Sequence, residues 1–175
     1  MVWPIRGRDI DVLPVTGQKD CYDAAGNNID CKGSGQDGEL QQGVNWPIPR
    51  FESAADTVVD KLTRLSWTRV ANVGGNTASW QEAFEIVKNL DGNWRLPNIN
   101  ELESLVDCSC HQPALPAEHP FQEVQDVYWS STTSLFEPDW AWALYLDKGA
   151  IGVGQKKHAR FHVWAVQDIT DSSDN

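Results

Sequence analysis

The chain has 175 residues, 41% hydrophobic and 22% charged, which is enough for one domain with a real core and too apolar for a disordered polymer. Its 14 Lys and Arg face 25 Asp and Glu, and the net charge of −11 argues against a nucleic-acid partner, because phosphate binding needs clustered cations. No stretch approaches the roughly 18 apolar residues of a membrane span, so no membrane insertion is expected, and Met1 to Arg6 lacks the apolar segment of a secretory signal.

Residues 1–55 hold few periodic apolar runs and many breakers, including Gly33, Gly35, Gly38, Gly43, Pro47 and Pro49. They read as an irregular arm with one small hairpin, packed on the main domain through Trp46 and Phe51. Cys21 and Cys31 flank Gly26-Asn27-Asn28, residues that tolerate a tight reversal, so the two thiols are expected to face each other across that hairpin. Directly opposed strand positions bring Cβ atoms within about 5 Å, close to disulfide range. Closing a loop of about 11 residues is worth roughly 3 kcal/mol. An oxidised pair implies an extracytoplasmic location, with any signal already removed. Cys108 and Cys110 stay open: they pair with each other, remain free or pair elsewhere.

Beyond Thr57 the pattern changes. Val58 and Val59, then Leu65 and Trp67, suggest two short strands joined by a turn. Ser79 with Glu82 forms a capping box, and Trp80, Ala83, Phe84, Val87 and Leu90 make one stripe of a helix ending at Asp91-Gly92. A second box, Asn98 with Glu101, opens a helix whose buried face is Ile99, Leu102, Leu105 and Val106, ending near Asp107. Strands are expected at Val127–Ser131, Trp140–Leu146, Ala150–Val153 and Phe161–Gln167. Trp142, Leu144 and Leu146 share one side of theirs, and Asp147-Lys148-Gly149 forms a hairpin turn. Two helices and a meander of short strands define an α+β domain over residues 56–170, followed by a polar tail at 171–175. Trp80, Phe84, Trp94, Leu102, Leu105 and Trp129 are expected to form its shared core, with Arg95, Ser130 and Ser131 satisfying buried backbone groups.

The chemistry-bearing residues are sparse. Cys108-Ser109-Cys110-His111 groups three soft ligands, but the second knuckle of a zinc site is missing. An EF-hand starting at Asp30 fails because Lys32 stands where an oxygen ligand is needed. Gly33-Ser34-Gly35 lacks the spacing of a nucleophile elbow. Lys156, Lys157, His158 and Arg160 form the one basic run in an acidic chain, suited to an anionic group on a ligand. Glu137 and Asp139 flank Pro138 in a loop beside Trp140 and raise calcium as a cofactor; two carboxylates do not fill the roughly 6–8 oxygen positions calcium prefers, so no cofactor is assigned.

Several motifs in sequence order resemble the Lcl C-terminal domain family. They are Cys21-Tyr22-Asp23, Gly26-Asn27, Asp56-Thr57-Val58-Val59-Asp60, Trp94-Arg95-Leu96-Pro97-Asn98, Ser104-Leu105-Val106-Asp107, Tyr128-Trp129-Ser130-Ser131-Thr132 and Ala141-Trp142. The resemblance spans about Thr16 to Gln167 and implies a C-type-lectin-like fold, distantly similar to formylglycine-generating enzymes. It also implies an exported bacterial domain, with some members on adhesins that bind sulfated polysaccharides. Here Val163-Trp164-Ala165-Val166-Gln167 replaces the family's frequent Val-Arg-Cys-Val-Arg ending, and the acidic charge argues against a sulfated polymer.

The expected function is therefore non-enzymatic recognition or adhesion, extracellular, at the cell surface or in the periplasm. The partner is a glycan or a protein, met by Glu137, Asp139, Trp140, Lys156, Lys157, His158 and Arg160 in the loops between the late strands. One alternative is a structural subunit of a surface filament or adhesin, a homo-oligomer among them. The other is a formylglycine-generating oxidase using Cys108 and Cys110, whose cysteines follow the second helix rather than lying near the domain's C-terminal end.

Overall fold

The computed structural model describes residues 13–169. The readings of Met1 to Arg6 and of the polar tail fall outside the described residues. Among the described residues, three antiparallel sheets and three short helices make up an α+β architecture.

The arm opens with a hairpin of β1 (Cys21–Tyr22) and β2 (Asn28–Ile29). Its turn is organised by Asp23, whose carboxylate accepts from the Ala25 and Asn27 backbone N–H groups, each at 2.9 Å. Gly26 supplies the positive φ, 83°, that this reversal requires. The disulfide Cys21–Cys31 is closed, although the thiols are not directly opposed: Cys21 pairs with Ile29, and Cys31 lies two residues past the strand. A side chain just outside the ladder reaches diagonally across it, and the Cα atoms are 5.1 Å apart. Helix α1 (Asp37–Leu40) seats Gly38 against the bridge, where an added Cβ would fall 2.4 Å from the Asp20 carbonyl oxygen.

The arm then enters the first of the two larger sheets directly. Strand β3 (Phe51–Ser53) pairs with β4 (Thr57–Asp60), which pairs with β5 (Leu65–Thr68). The expected strand pair at Val58 and Trp67 is thus present, with Val58 opposite Trp67. Just before β3, Arg50 is buried against Asp60, donating from Nε at 3.0 Å and Nη2 at 2.8 Å. Its guanidinium lies 4.8 Å from the ring centres of both Trp46 and Phe51, so both expected arm anchors meet one buried cation.

Both capping boxes form. Ser79 and Glu82 open α2 (Trp80–Lys88), and Asn98 and Glu101 open α3 (Ile99–Glu103). Helix α3 ends before the expected Asp107, because the chain tightens into i→i+3 bonds at Leu105, Val106 and Cys110. The other large sheet is a meander of β6 (Val127–Thr133), β7 (Trp140–Tyr145) and β8 (Ala150–Gln155). A register shift between Trp129 and Thr133 swings residues 130–132 towards α3, where Thr132 Oγ1 accepts from the Ile99 N–H at 3.1 Å.

Phe161–Gln167 is not one strand as expected. Only β9 (Val166–Asp168) joins a sheet, alongside β5. The residues before it run between the two large sheets, bonding Ala78, Val127 and Trp129 on the way. They alternate as a strand does because there is a core on each side: Trp164 and Val166 join the cluster of Leu102, Leu105, Trp67 and Tyr128, while Val163 and Ala165 join that of Trp129, Ala143 and Leu96. The expected single core is therefore divided between two clusters. Leu102 and Leu105 lie in the first, and Trp129 lies in the second with Trp80, Phe84 and Trp94 packed half-buried against it. Trp142 shares a face with Leu144, as the alternation suggested, but joins neither cluster and stays 36% exposed. Arg95 also differs from expectation. It does not satisfy backbone groups; its guanidinium pairs with Glu101 at 2.7 Å and Asp168 at 3.0 Å, which raises its pKa.

Candidate functional site

The loop between β6 and β7 and the turn after β8 meet at one end of the three-stranded sheet, because β7 begins where β8 ends. Antiparallel pairing sets Trp140 opposite Gln155. The Gln155 amide donates to the Asp139 carboxylate at 3.1 Å, and the Lys156 N–H donates to the Asp139 carbonyl at 2.9 Å.

Lys156 fastens the two segments together. Its ammonium donates to Thr133 Oγ1 and to the Pro138 carbonyl, both at 2.8 Å, and sits 4.1 Å above the Trp80 ring. Trp80, the first residue of α2, donates from its indole to the Ser130 carbonyl at 2.8 Å, and its ring meets Phe84 edge-on at 4.7 Å. One aromatic side chain thereby joins helix, bulged strand and turn. Arg160 is likewise engaged: it donates to the Thr77 carbonyl at 2.9 Å and pairs with Glu82 at 3.2 Å. The Ser79 backbone N–H, the Ser79 hydroxyl and Arg160, in that order of effect, hold the Glu82 carboxyl below its usual range.

The structure thus brings Glu137, Asp139, Trp140, Lys156 and Lys157 to one end of the sheet, with His158 and Arg160 just after them. Trp140 is half-buried, and Glu137, Lys157 and His158 are exposed. Three features were missed by sequence reasoning. Trp80 is a support of these loops as well as a core residue. Thr133 anchors Lys156. Leu135 and Phe136, at the tip between Ser134 and Pro138, are each 92% exposed. Two bulky apolar residues in a segment bounded by turn formers were the available signal for that tip.

The second concentration of chemistry lies around Cys108 and Cys110. Both thiols are free, Cys108 exposed and Cys110 half-buried. Burial, then the charges of Asp107, Asp37 and Glu103, push the Cys108 thiol up, away from the thiolate form a nucleophile needs. Ser109, Cys110, His111, Pro113, Leu115, Ala117 and His119 line an open depression of about 390 Å³. Among the described residues, no three His, Cys, Asp or Glu side chains converge to hold a metal ion, either here or around Glu137 and Asp139.

A disulfide-bearing arm joined to a two-sheet α+β domain is the class of protein this architecture defines. The chain belongs to the Lcl C-terminal domain family, whose model matches residues 56–167. That family is of an extracellular type, and the closed Cys21–Cys31 bridge fits an oxidising compartment. Among the described residues, no helix is long and apolar enough to cross a membrane. No curated protein matches the chain.

Proposed function

We propose that this chain is a non-enzymatic recognition or adhesion domain of an exported bacterial protein, meeting a glycan or a protein through the loops at the β6–β7 and β8 end. The observation that carries this reading is the Lys156 fastening. It holds two loops of different sequence in one rigid arrangement while Glu137, Lys157 and His158 stay exposed beside them. Loops on a rigid scaffold are where recognition is most often built, since they are free of the packing demands on the core. Lys156 and Arg160 shape the surface, and the exposed acid, base and imidazole supply its contacts. The raised thiol of Cys108 supports the non-enzymatic reading over an oxidase.

The test is alanine substitution of Glu137, Lys157 and His158, scored for melting temperature and for binding on a glycan array and in a pull-down. The expected result is altered binding at unchanged melting temperature. Binding lost only on substitution within arm residues 16–50 would overturn the proposal. A second reading, a structural subunit of a surface filament or adhesin, is favoured by the bare apolar tip at Leu135 and Phe136.

A further inference from the structure

The free edge of the three-stranded sheet carries chemistry of its own, apart from the late loops. Strand β8 stands last in the order β6, β7, β8, and no described residue pairs with its far side. The Lys156 N–H donates to the Asp139 carbonyl at 2.9 Å, and the β7–β8 register runs without a shift from Gln155 back to Ala150. Alternation along an antiparallel ladder therefore turns the N–H and C=O groups of Gly152 and Gly154 towards β7, and those of Ile151 and Val153 outwards. Among the described residues, one of these four outward groups has a partner: Tyr145 packs its ring on Gly152 and its hydroxyl donates to the Val153 carbonyl at 3.4 Å, a long bond.

The other edges of the two large sheets are covered, short or charged. On the outer side of β6, Trp129 and Ser131 donate to the His162 and Pro97 carbonyls at 3.1 and 2.8 Å. Strand β9 is bridged by Arg95, and β3 has three residues and carries Glu52. Exposed edges are ordinarily blunted by a charge, a proline or a bulge. Ala150–Gln155 has none of these over its six residues.

The character of this edge selects its occupant. Its outward N–H and C=O groups recur at every second residue, roughly 6.8 Å apart, a pattern that an extended polypeptide matches and a sugar does not. On one face Ile151, 37% exposed, and Val153 stand beside Trp142, so apolar side chains suit the middle of the partner. Cations stand at both ends: Lys148, 71% exposed and paired with Asp147 at 3.8 Å, in the turn before β8, and the exposed Lys157 after it. In a chain of net charge −11 that placement suits a partner with acidic ends. A second copy fits worse, because antiparallel pairing of β8 with itself sets the Lys148 end of one strand against the Lys156–Lys157 end of the other. We propose that the β8 edge takes an extended peptide segment of another protein, apolar in its middle and acidic at its ends, which adds a fourth strand to the sheet. This goes beyond the loop reading, because the backbone of β8, and not the side chains of the late loops, makes the principal contacts.

The experiment is a heteronuclear NMR titration of the full chain with the peptide acetyl-Asp-Glu-Thr-Val-Thr-Val-Thr-Glu-Asp-amide, taken to millimolar concentration. The Ile151 and Val153 amides are expected to shift and their hydrogen exchange to slow, as outward N–H groups gain acceptors. Val153→Pro removes one outward N–H at an edge position, where a strand tolerates proline, and is expected to abolish binding at an unchanged melting temperature. Lys148→Glu, a surface change that leaves the backbone whole, is expected to weaken binding roughly two- to fivefold, the range of an exposed charge pair. A titration that leaves the Ile151 and Val153 amides unmoved overturns the proposal. So does a folded Val153→Pro variant, or a Lys148→Glu variant, that binds as the wild type does. Growth to a dimer with Ile151 and Val153 protected in the absence of peptide overturns it as well, since a second copy then takes the edge. Val153→Pro removes no side chain of the late loops, so glycan or protein binding that survives it while peptide binding is lost separates the two proposals, and the Glu137 and His158 substitutions test the loop reading alone.

Discussion

Asp60 is the position where one atom group holds the arm, the first large sheet and α3 together, and its replacement by Ala gives the sharpest test of how this fold is stabilised. The Asp60 side chain is fully buried, and its carboxylate accepts four hydrogen bonds: two from Arg50, one from the Leu62 N–H at 3.0 Å and one from the Thr63 hydroxyl at 3.1 Å. Arg50, with its side chain 5% exposed, also donates to the Ser104 carbonyl at 2.6 Å and lies over Trp46 and Phe51. In Asp60→Ala the guanidinium stays buried with its charge uncompensated, and breaking a buried pair in this way costs about 3–5 kcal/mol. At about 2–4 °C per kcal/mol for a domain of this size, the melting temperature is expected to fall by roughly 6–20 °C.

The assay is a double-mutant cycle by urea denaturation over wild type, Asp60→Ala, Arg50→Met and the double variant. If the cost of the single variant comes from the orphaned charge, removing the cation as well restores part of the loss, and the double variant is more stable than Asp60→Ala. Strict additivity, or an Asp60→Ala loss below about 1 kcal/mol, would refute the reasoning, because it would mean that solvent or a rearranged partner compensates Arg50 without Asp60.

Trp129→Ala is expected to cost about 3–5 kcal/mol in thermal or chemical denaturation, since Trp129 is fully buried and its indole also donates to the Ala78 carbonyl at 2.8 Å. Gly154→Ala should destabilise by about 1–3 kcal/mol despite its small size, because the new Cβ would stand 2.4 Å from Phe161 and 2.7 Å from Trp129; a neutral result would mean the Phe161 ring can move aside. Reducing the bridge with Cys21→Ser/Cys31→Ser should cost roughly 3 kcal/mol, with the late loops unaffected, as read by heteronuclear NMR shifts. Burial holds the imidazoles of His119 and His162 below the ordinary 6.5, so as pH falls the unfolded chain takes up protons before the fold does. Stability they support is complete above pH 6.5 and is lost as pH falls through their folded values, so His162→Gln should flatten the fall of the denaturation midpoint below pH 6.5.

Much of this fold could be read from local signals. Ser79 with Glu82 and Asn98 with Glu101 are self-contained devices, each satisfying orphan N–H groups within four residues, so both helix starts were legible. The turns around Gly26 and Gly149 were legible for the same reason. What could not be read depended on contacts far apart in sequence. Phe161 to Val166 alternates like a strand because it divides two cores, and nothing within those residues tells a second core from a solvent face. The side that Trp142 shares with Leu144 was legible in the alternation, but its exposure was not. Trp80 was taken for a core residue alone, since its bond to Ser130 spans 50 residues. Lys156 reads as a free cation in sequence, and only the folded chain brings Thr133, Pro138 and the Trp80 ring around it.

The same contrast explains why stability and the surface chemistry of the late loops can be separated in this molecule. Trp67, Trp129 and Trp164 are fully buried, and the chain segment running between the sheets contributes alternately to both clusters, so loss of packing at one is transmitted to the other. The late loops are held differently: a handful of hydrogen bonds to backbone carbonyls and one ammonium over an indole fix their shape, with little apolar burial of their own. Backbone acceptors do not depend on side-chain identity, so Glu137, Lys157, His158, Leu135 and Phe136 can all be exchanged without removing a partner from the frame. A loop system built this way keeps its geometry while its exposed chemistry changes. Lys156 and Trp80 are the exceptions, because each is both fastening and surface, and they mark the boundary at which altering the contacts begins to alter the fold.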